Sequence, residues 1–300
     1  MRLLLTGAWR AAEAWSPKLQ ELGHETRFLP REQDPLPCPP DWPEGVVCNG
    51  LFLHHPLSDF RSLRLIQLTS AGLDRVDAGQ IRQRGIRLYS ARGVYSVPMA
   101  EFALAGVLSL YKQSRFFASR QRAHLWEKHR GLRELQGRRV TVLGCGSVGT
   151  ACAERFAALG CRVSGVDLFP REDPCFERIL PLERLDSLLP QTELLILTLP
   201  LSPETRGLLS AARLALLPPD AILVNISRGA VADEAALTDA LRCGRLSGAV
   251  LDVFETEPLP ADSPLWDMEH VILTPHNSFV GEGNDARLAE LILNHLQNAD

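Results

Sequence analysis

No C-x-x-C pair occurs in this chain, although its 300 residues include seven cysteines. They are Cys38, Cys48, Cys145, Cys152, Cys161, Cys175 and Cys243, scattered and odd in number. That pattern argues against a zinc knuckle or a disulfide framework, predicts no metal site, and suits a reducing cytoplasm. The opening MRLLLTG has too short an apolar run for a secretory leader. The longest apolar helix, near residues 102–110, is too short and interrupted to span a bilayer. Nor is one sign of charge in excess. Lys and Arg number 32 against 36 Asp and Glu, a formal net of −4, which gives no general attraction to nucleic acid or anionic membranes. The expectation is a soluble cytoplasmic protein with no membrane or nucleic-acid partner. Three hundred residues exceed one typical core and suit two domains.

What is present centres on residues 140–167. Residues 140–143 form a short β-branched and apolar run, the mark of a buried strand. Gly144, Gly146 and Gly149 follow at the spacing G-x-G-x-x-G. The first glycine allows the tight turn, the second lets the backbone approach a pyrophosphate, and the third lets the next helix pack closely. A helix over residues 147–159 then offers its amino end to the phosphates. A second strand ends at Asp167, eighteen residues beyond Gly149. That is close to the roughly 20 residues expected for the acid that binds the ribose hydroxyls. Asp167 would repel a 2′-phosphate and so favours NAD over NADP. Arg171 is close in sequence and could soften the preference. Cys145, inside the loop, reads as an ordinary occupant of a variable position.

Before this unit, Arg2–Thr6 begins a second α/β unit with no glycine fingerprint, and a helix follows over residues 11–22. Residues 30–43 hold six prolines and form a surface connection. Strands follow at Gly45–Cys48, residues 63–68 and residues 85–89. After the second of these comes TSAGLDRVD. Its Ala71 and Gly72 could cradle a substrate carboxylate, or Asp74 could simply cap the next helix. The helix over residues 99–111 is apolar almost all round and should be buried, between domains or against another subunit. Residues 115–134 are amphipathic and charged, with His124 and His129 as surface or packing residues.

Beyond Asp167, strands are expected at residues 193–199, 221–226, 248–253 and Val271–Leu273. The last three are followed by Arg228, Glu257 and His276. In a parallel sheet such ends share one edge, beside the cofactor crevice. The trio suits hydride transfer to a 2-oxo acid. His276 could supply the proton, and Glu257 could fix its tautomer and favour the imidazolium. Arg228 could fork onto the carboxylate and carbonyl oxygen. Each also has a plain reading: Arg228 as a helix-dipole or phosphate contact, Glu257 as a turn residue, His276 as a loop histidine.

VNISRGAVADEAAL, GAVLDVFETEPLPADSPLW and VILTPHNS resemble signature blocks of the D-2-hydroxyacid dehydrogenases. GCGSVG with Asp167, LPLSPETRGLL and TSAGLDRVD match as well, so the resemblance runs from about residue 65 to 279. It implies an α/β protein of two doubly wound parallel-sheet domains. One is a flavodoxin-like substrate domain, residues 1–90 plus 281–300. The other is a Rossmann NAD-binding domain, residues 91–280. It implies an oxidoreductase moving hydride between NAD(H) and a small 2-oxo or D-2-hydroxy acid such as glyoxylate, hydroxypyruvate or pyruvate. By motif match Arg228 is the substrate arginine, Glu257 the partner acid and His276 the acid/base. Gly144, Gly146, Ser147, Val148, Gly149, Asp167, Leu199, Pro200, Ile226, Ser227, Arg228, Asp252 and His276 line the cofactor, with Asp252 near the nicotinamide carboxamide. The resemblance also favours Ala71 and Gly72 as the carboxylate cradle. A homodimer is the family habit, and the helix over residues 99–111 is a candidate interface. Corepressors that resemble this family, and assemble under control of NAD, are the alternative. The absence of any low-complexity tail argues against them.

Overall fold

The computed structural model describes residues 1–73 and 75–298. The chain divides into two compact units, one of residues 1–95 with the stretch from Gly281 onward, the other of Ser96–Val280. In the first unit β1 (Arg2–Thr6) leads to α1 (Ala12–Glu21), β2 (Glu25–Leu29), β3 (Gly45–Cys48), β4 (Leu65–Leu68), α2 (Ala78–Gln83) and β5 (Arg87–Tyr89). The strands are parallel in the order β2-β1-β3-β4-β5, the flavodoxin-like arrangement, with the order reversing between β1 and β3. Every residue of β3 and β4 is buried, and both strands are nearly continuous apolar runs because the sheet is covered on both faces. β2, at the edge, alternates exposed and covered positions and carries no such run. The proline-rich stretch that follows is irregular. Its Glu32 carboxylate accepts hydrogen bonds from Thr6 Oγ1 (2.8 Å) and the Asn49 and Gly50 amides (both 2.6 Å), joining the loops after β1 and β3.

Asp77 caps α2, accepting a bond from the Gln80 amide at 2.9 Å. Asp74 lies outside the described residues.

The second unit opens with α3 (Ser96–Tyr111) and α4 (Ser114–Arg122), then β6 (Arg139–Leu143), α5 (Ser147–Ala158), β7 (Arg162–Asp167) and β8 (Arg178–Pro181). It continues through α6 (Leu185–Leu188), β9 (Leu194–Leu197), α7 (Ala211–Leu214), β10 (Ile222–Asn225), α8 (Glu234–Arg242), β11 (Gly248–Leu251) and β12 (Val271–Leu273). Its seven strands run β12-β11-β10-β9-β6-β7-β8, all parallel, the Rossmann order extended by one strand. α3 packs one side against its own sheet, with Ala100, Ala103, Val107 and Tyr111 buried. Gly106 is required there, because a Cβ would sit 2.7 Å from Val250 Cγ1 on β11. The charged stretch after it is helical only as far as Arg122.

The register sets the site. Val166, Leu143, Leu197, Asn225, Leu251 and Leu273 pair in one row across six strands. The loops that follow them therefore leave the sheet along one edge.

The closing helix α9 (Asn284–Gln297) returns to the first unit, where Leu288, Ala289, Ile292 and Leu296 join Leu3, Leu5 and Trp9 in its core. Among the described residues no helix is long and apolar enough to cross a membrane.

Candidate active site

The glycine loop lies where the strand order of the second unit reverses, between β6 and β9. Gly144 has φ +98°, a region that favours glycine, and a Cβ on it would lie 2.7 Å from the Leu199 amide nitrogen. A Cβ on Gly149 would lie 1.9 Å from the Gly144 carbonyl oxygen, so α5 can start against the loop only with glycine there. Gly146 is the N-cap of α5, and no side chain caps the amides of the first turn at Ser147 and Val148. That leaves a helix start shaped for an anion. Thr198 Oγ1 donates to the Gly144 carbonyl at 2.6 Å and ties the loop to the end of β9. Leu199 beyond it is buried and Pro200 exposed.

Asp167 ends β7. Its Oδ2 accepts the Cys145 amide at 2.6 Å and its Oδ1 the Phe169 amide at 2.9 Å, so the acid is fixed to the loop. A carboxylate offers about four acceptor positions, and two are left for ribose hydroxyls. The loop and acid therefore fit the adenosine and phosphates of a dinucleotide. The Cys145 thiol is fully buried, and burial, with the Asp167 charge second, pushes it up to about 12. Such a thiol stays protonated at neutral pH.

Three strands further along the same edge, β10 carries the substrate-binding candidate. Asn225, at its last position, accepts the Ser227 amide (3.1 Å) and hydroxyl (2.8 Å) and donates to the Arg228 carbonyl (3.1 Å). Ile226 and Ser227 are buried beneath this turn. The half-buried Arg228 directs Nη1 to the Ser227 carbonyl at 2.8 Å. Gly229 then passes so close to the next loop that a Cβ would lie 1.9 Å from the Phe254 carbonyl carbon.

β11 and β12 supply the acid–imidazole pair. Glu257 Oε2 lies 2.8 Å from His276 Nδ1, and Glu257 Oε1 accepts the Phe254 amide at 3.0 Å. The pair is accessible, with side chains 37% and 41% exposed. His276 adopts φ +52°, unusual for a residue with a side chain. What holds it there is Asp252, whose side chain is wholly enclosed. Its Oδ1 accepts Thr274 Oγ1 (2.6 Å) and the Asn277 amide (2.7 Å), and its Oδ2 the Ser278 amide (2.9 Å). The Asp252 carbonyl accepts the His276 amide at 2.8 Å. The Asp252 carboxylate turns inward, because three donors of the next loop converge on it.

The NAD-binding-domain model of the D-isomer specific 2-hydroxyacid dehydrogenases matches residues 104–278. The chain belongs to that family. This dehydrogenase is 34% identical over 245 residues to an (S)-sulfolactate dehydrogenase of Chromohalobacter salexigens, covering 81% of the chain and 79% of the relative. It is 34% identical to a glyoxylate reductase of Korarchaeum cryptofilum over 78% of the chain and 72% of the relative. Its fold matches a crystal structure of a family member from Aeromonas salmonicida with a TM-score of 0.83 at 31% identity, covering 99% of this chain and 94% of that one. A Xanthobacter autotrophicus member solved with NADPH and MES matches with a TM-score of 0.81 at 32% identity, covering 99% and 94%. The protein is thus an oxidoreductase that uses a nicotinamide dinucleotide to interconvert 2-oxo and 2-hydroxy acids. Relatives named as dehydrogenases and reductases favour the enzyme over the corepressor alternative.

In the dehydrogenase's first unit, Ala71 is exposed and Gly72 half-buried, just beyond β4. Ser70 Oγ donates to the Gly72 carbonyl at 3.0 Å, and Tyr95 OH bonds the Thr69 carbonyl. Sequence reasoning missed the supports Asn225, Gly229 and Thr274. Asn225 and Gly229 stand in the block VNISRG, but only the register shows what they brace.

Proposed function

We propose that the protein reduces a small 2-oxo acid of the glyoxylate, hydroxypyruvate or pyruvate kind with NADH. The observation that carries this is the 2.8 Å His276–Glu257 pair on the sheet edge that also bears the glycine loop. The bound dinucleotide supplies the hydride. Glu257 engages Nδ1, so Nε2 is the nitrogen His276 turns to substrate, and protonated Nε2 donates to the oxo oxygen. In the reverse direction the same nitrogen accepts the hydroxyl proton. Glu257 orients the ring and offsets the positive charge of the imidazolium. Arg228 grips the carboxylate and polarises the carbonyl. In the first unit, Ala71 and Gly72 are the proposed carboxylate cradle.

The second unit is the NAD-binding domain, and the first is the substrate domain. Gly144, Gly146, Ser147, Val148 and Gly149 receive the pyrophosphate. Asp167 takes the ribose hydroxyls and sets the preference for NAD. Leu199, Pro200, Ile226 and Ser227 line the cofactor's path. The working form is a homodimer. Trp126 is fully exposed and Leu125 and Leu132 are 52% and 43% exposed, and Phe102, Leu104 and Leu108 of α3 are only half-covered, apolar side chains that a second copy would cover. Seven unpaired thiols suit the cytoplasm.

The test is NADH oxidation against a panel of 2-oxo acids. The parent should turn over at least one of them, and His276→Ala should lower kcat on the order of 10²–10⁴-fold. Equal rates in the two proteins would remove His276 from the chemistry.

A further inference from the structure

The adenosine end of the glycine loop carries a charge cluster that the hydride chemistry does not use. Arg171 stands four residues beyond Asp167, in the loop after β7. In dinucleotide-binding folds an arginine near this place accommodates the 2′-phosphate of NADP. Here its Nη2 donates to Asp173 Oδ2 at 3.0 Å and to Thr150 Oγ1 at 3.1 Å. Thr150 belongs to the first turns of α5, and its hydroxyl reaches the Cys145 carbonyl at 3.4 Å. Cys145 in turn donates its amide to Asp167. Arg171 is therefore tied to the same loop as the ribose acid.

Asp173 is itself well anchored, with its side chain only 11% exposed. Its Oδ1 accepts the Cys175 amide at 3.1 Å, and its Oδ2 accepts Thr150 Oγ1 at 3.3 Å as well as Arg171. Burial pushes the Asp173 carboxyl up, but the Cys175 amide and thiol, Thr150 and Arg171 together hold it below the usual range. It is ionised at neutral pH and neutralises Arg171. Asp167, Arg171 and Asp173 together keep an excess of one negative charge. Remove Asp173 and the excess disappears, while a half-exposed guanidinium on the loop gains freedom to turn.

We infer that Asp173 is a specificity-determining residue: by pairing with Arg171 it denies that arginine to the 2′-phosphate and makes the enzyme select NAD over NADP. The inference rests on the dinucleotide reading of the glycine loop and adds a second acid to the selectivity of Asp167. Asp167 acts by repulsion at the ribose. Asp173 acts through Arg171, by holding its charge and its hydrogen bonds elsewhere.

Dissociation constants for NADH and NADPH, measured by fluorescence titration without any oxo acid, test this. The proteins are the parent, Asp173→Asn, Asp173→Ser and Asp173→Asn combined with Arg171→Ala. Asparagine keeps an acceptor for the Cys175 amide and removes the charge, and serine serves if asparagine unfolds the loop. The parent should prefer NADH. Either single variant should shift the NADPH:NADH affinity ratio toward NADPH by about ten-fold or more, the scale of one charge-assisted hydrogen bond. The shift should vanish in the double variant. An unchanged ratio in the single variants, or a shift that survives loss of Arg171, would overturn the role of Asp173. In either case NADH binding by the parent leaves the dinucleotide reading standing. A parent that binds neither dinucleotide overturns both.

Discussion

Asp252 grips the chain on both sides of His276. Its carboxylate holds Thr274 on one side and Asn277 and Ser278 on the other, and its carbonyl holds the His276 amide itself. A residue at φ +52° does not stay there by preference, and a fully enclosed carboxylate with three donors supplies the constraint. Asp252 thereby fixes the position of His276.

Asp252→Asn should lower kcat on the order of 10²-fold, the effect of a small misplacement of a catalytic group. The amide would face a converging N–H with an N–H of its own, at a cost of about 1–3 kcal/mol in stability. Stopped-flow turnover and thermal melting check the two parts. NADH affinity should change far less than kcat, which separates misplacement of His276 from loss of the cofactor site.

Arg228→Lys should raise KM for the oxo acid and lower kcat/KM on the order of 10²-fold, because an ammonium cannot make the two parallel bonds of a guanidinium. The dinucleotide affinity measured without substrate serves as the control.

Gly229→Ala should destabilise the protein by about 1–3 kcal/mol, since its Cβ falls on the Phe254 backbone and neither loop has room to give. Forcing the loops apart also displaces Arg228 and the Phe254 amide that holds Glu257. Urea unfolding and the KM for oxo acid should change together.

Glu193 ties the starts of β6 and β9, accepting the Arg139 amide at 3.0 Å and Arg138 Nη1 at 2.6 Å. Burial pushes its carboxyl up, but the Arg139 amide and the Arg138 and Arg139 guanidiniums outweigh that and hold it below the usual 4.5. The folded value is thus lower than the unfolded one. The stabilisation is complete above pH 4.5 and is lost as pH falls through the folded value. Glu193→Gln should melt lower than the parent at neutral pH, and the gap should narrow on acidification. A melting-temperature series across that range reads it directly.

Two of the four edge strands, β2 and β8, escaped sequence reading, whereas the edge strands β5 and β12 and the central strands were plain in it. A strand covered on both faces must be apolar throughout, but β2 and β8 each expose residues to solvent and read like loops. α3 illustrates a different limit. Its all-round apolar surface predicts burial without saying against what, while only Gly106 against Val250 shows that one face lies on its own sheet.

The glycine loop, its flanking strands and Asp167 were written in the sequence alone, because they depend on backbone freedom and spacing within fewer than thirty consecutive residues. The order of Arg228, Glu257 and His276 after successive strands was legible for the same reason. Tertiary structure alone decided that Glu257 meets His276, that Asp252 turns inward and that Gly229 locks two loops. Those contacts depend on the register that sets Asn225, Leu251 and Leu273 side by side. Register is a property of the packed sheet, and a shift of one residue would turn every one of these side chains away.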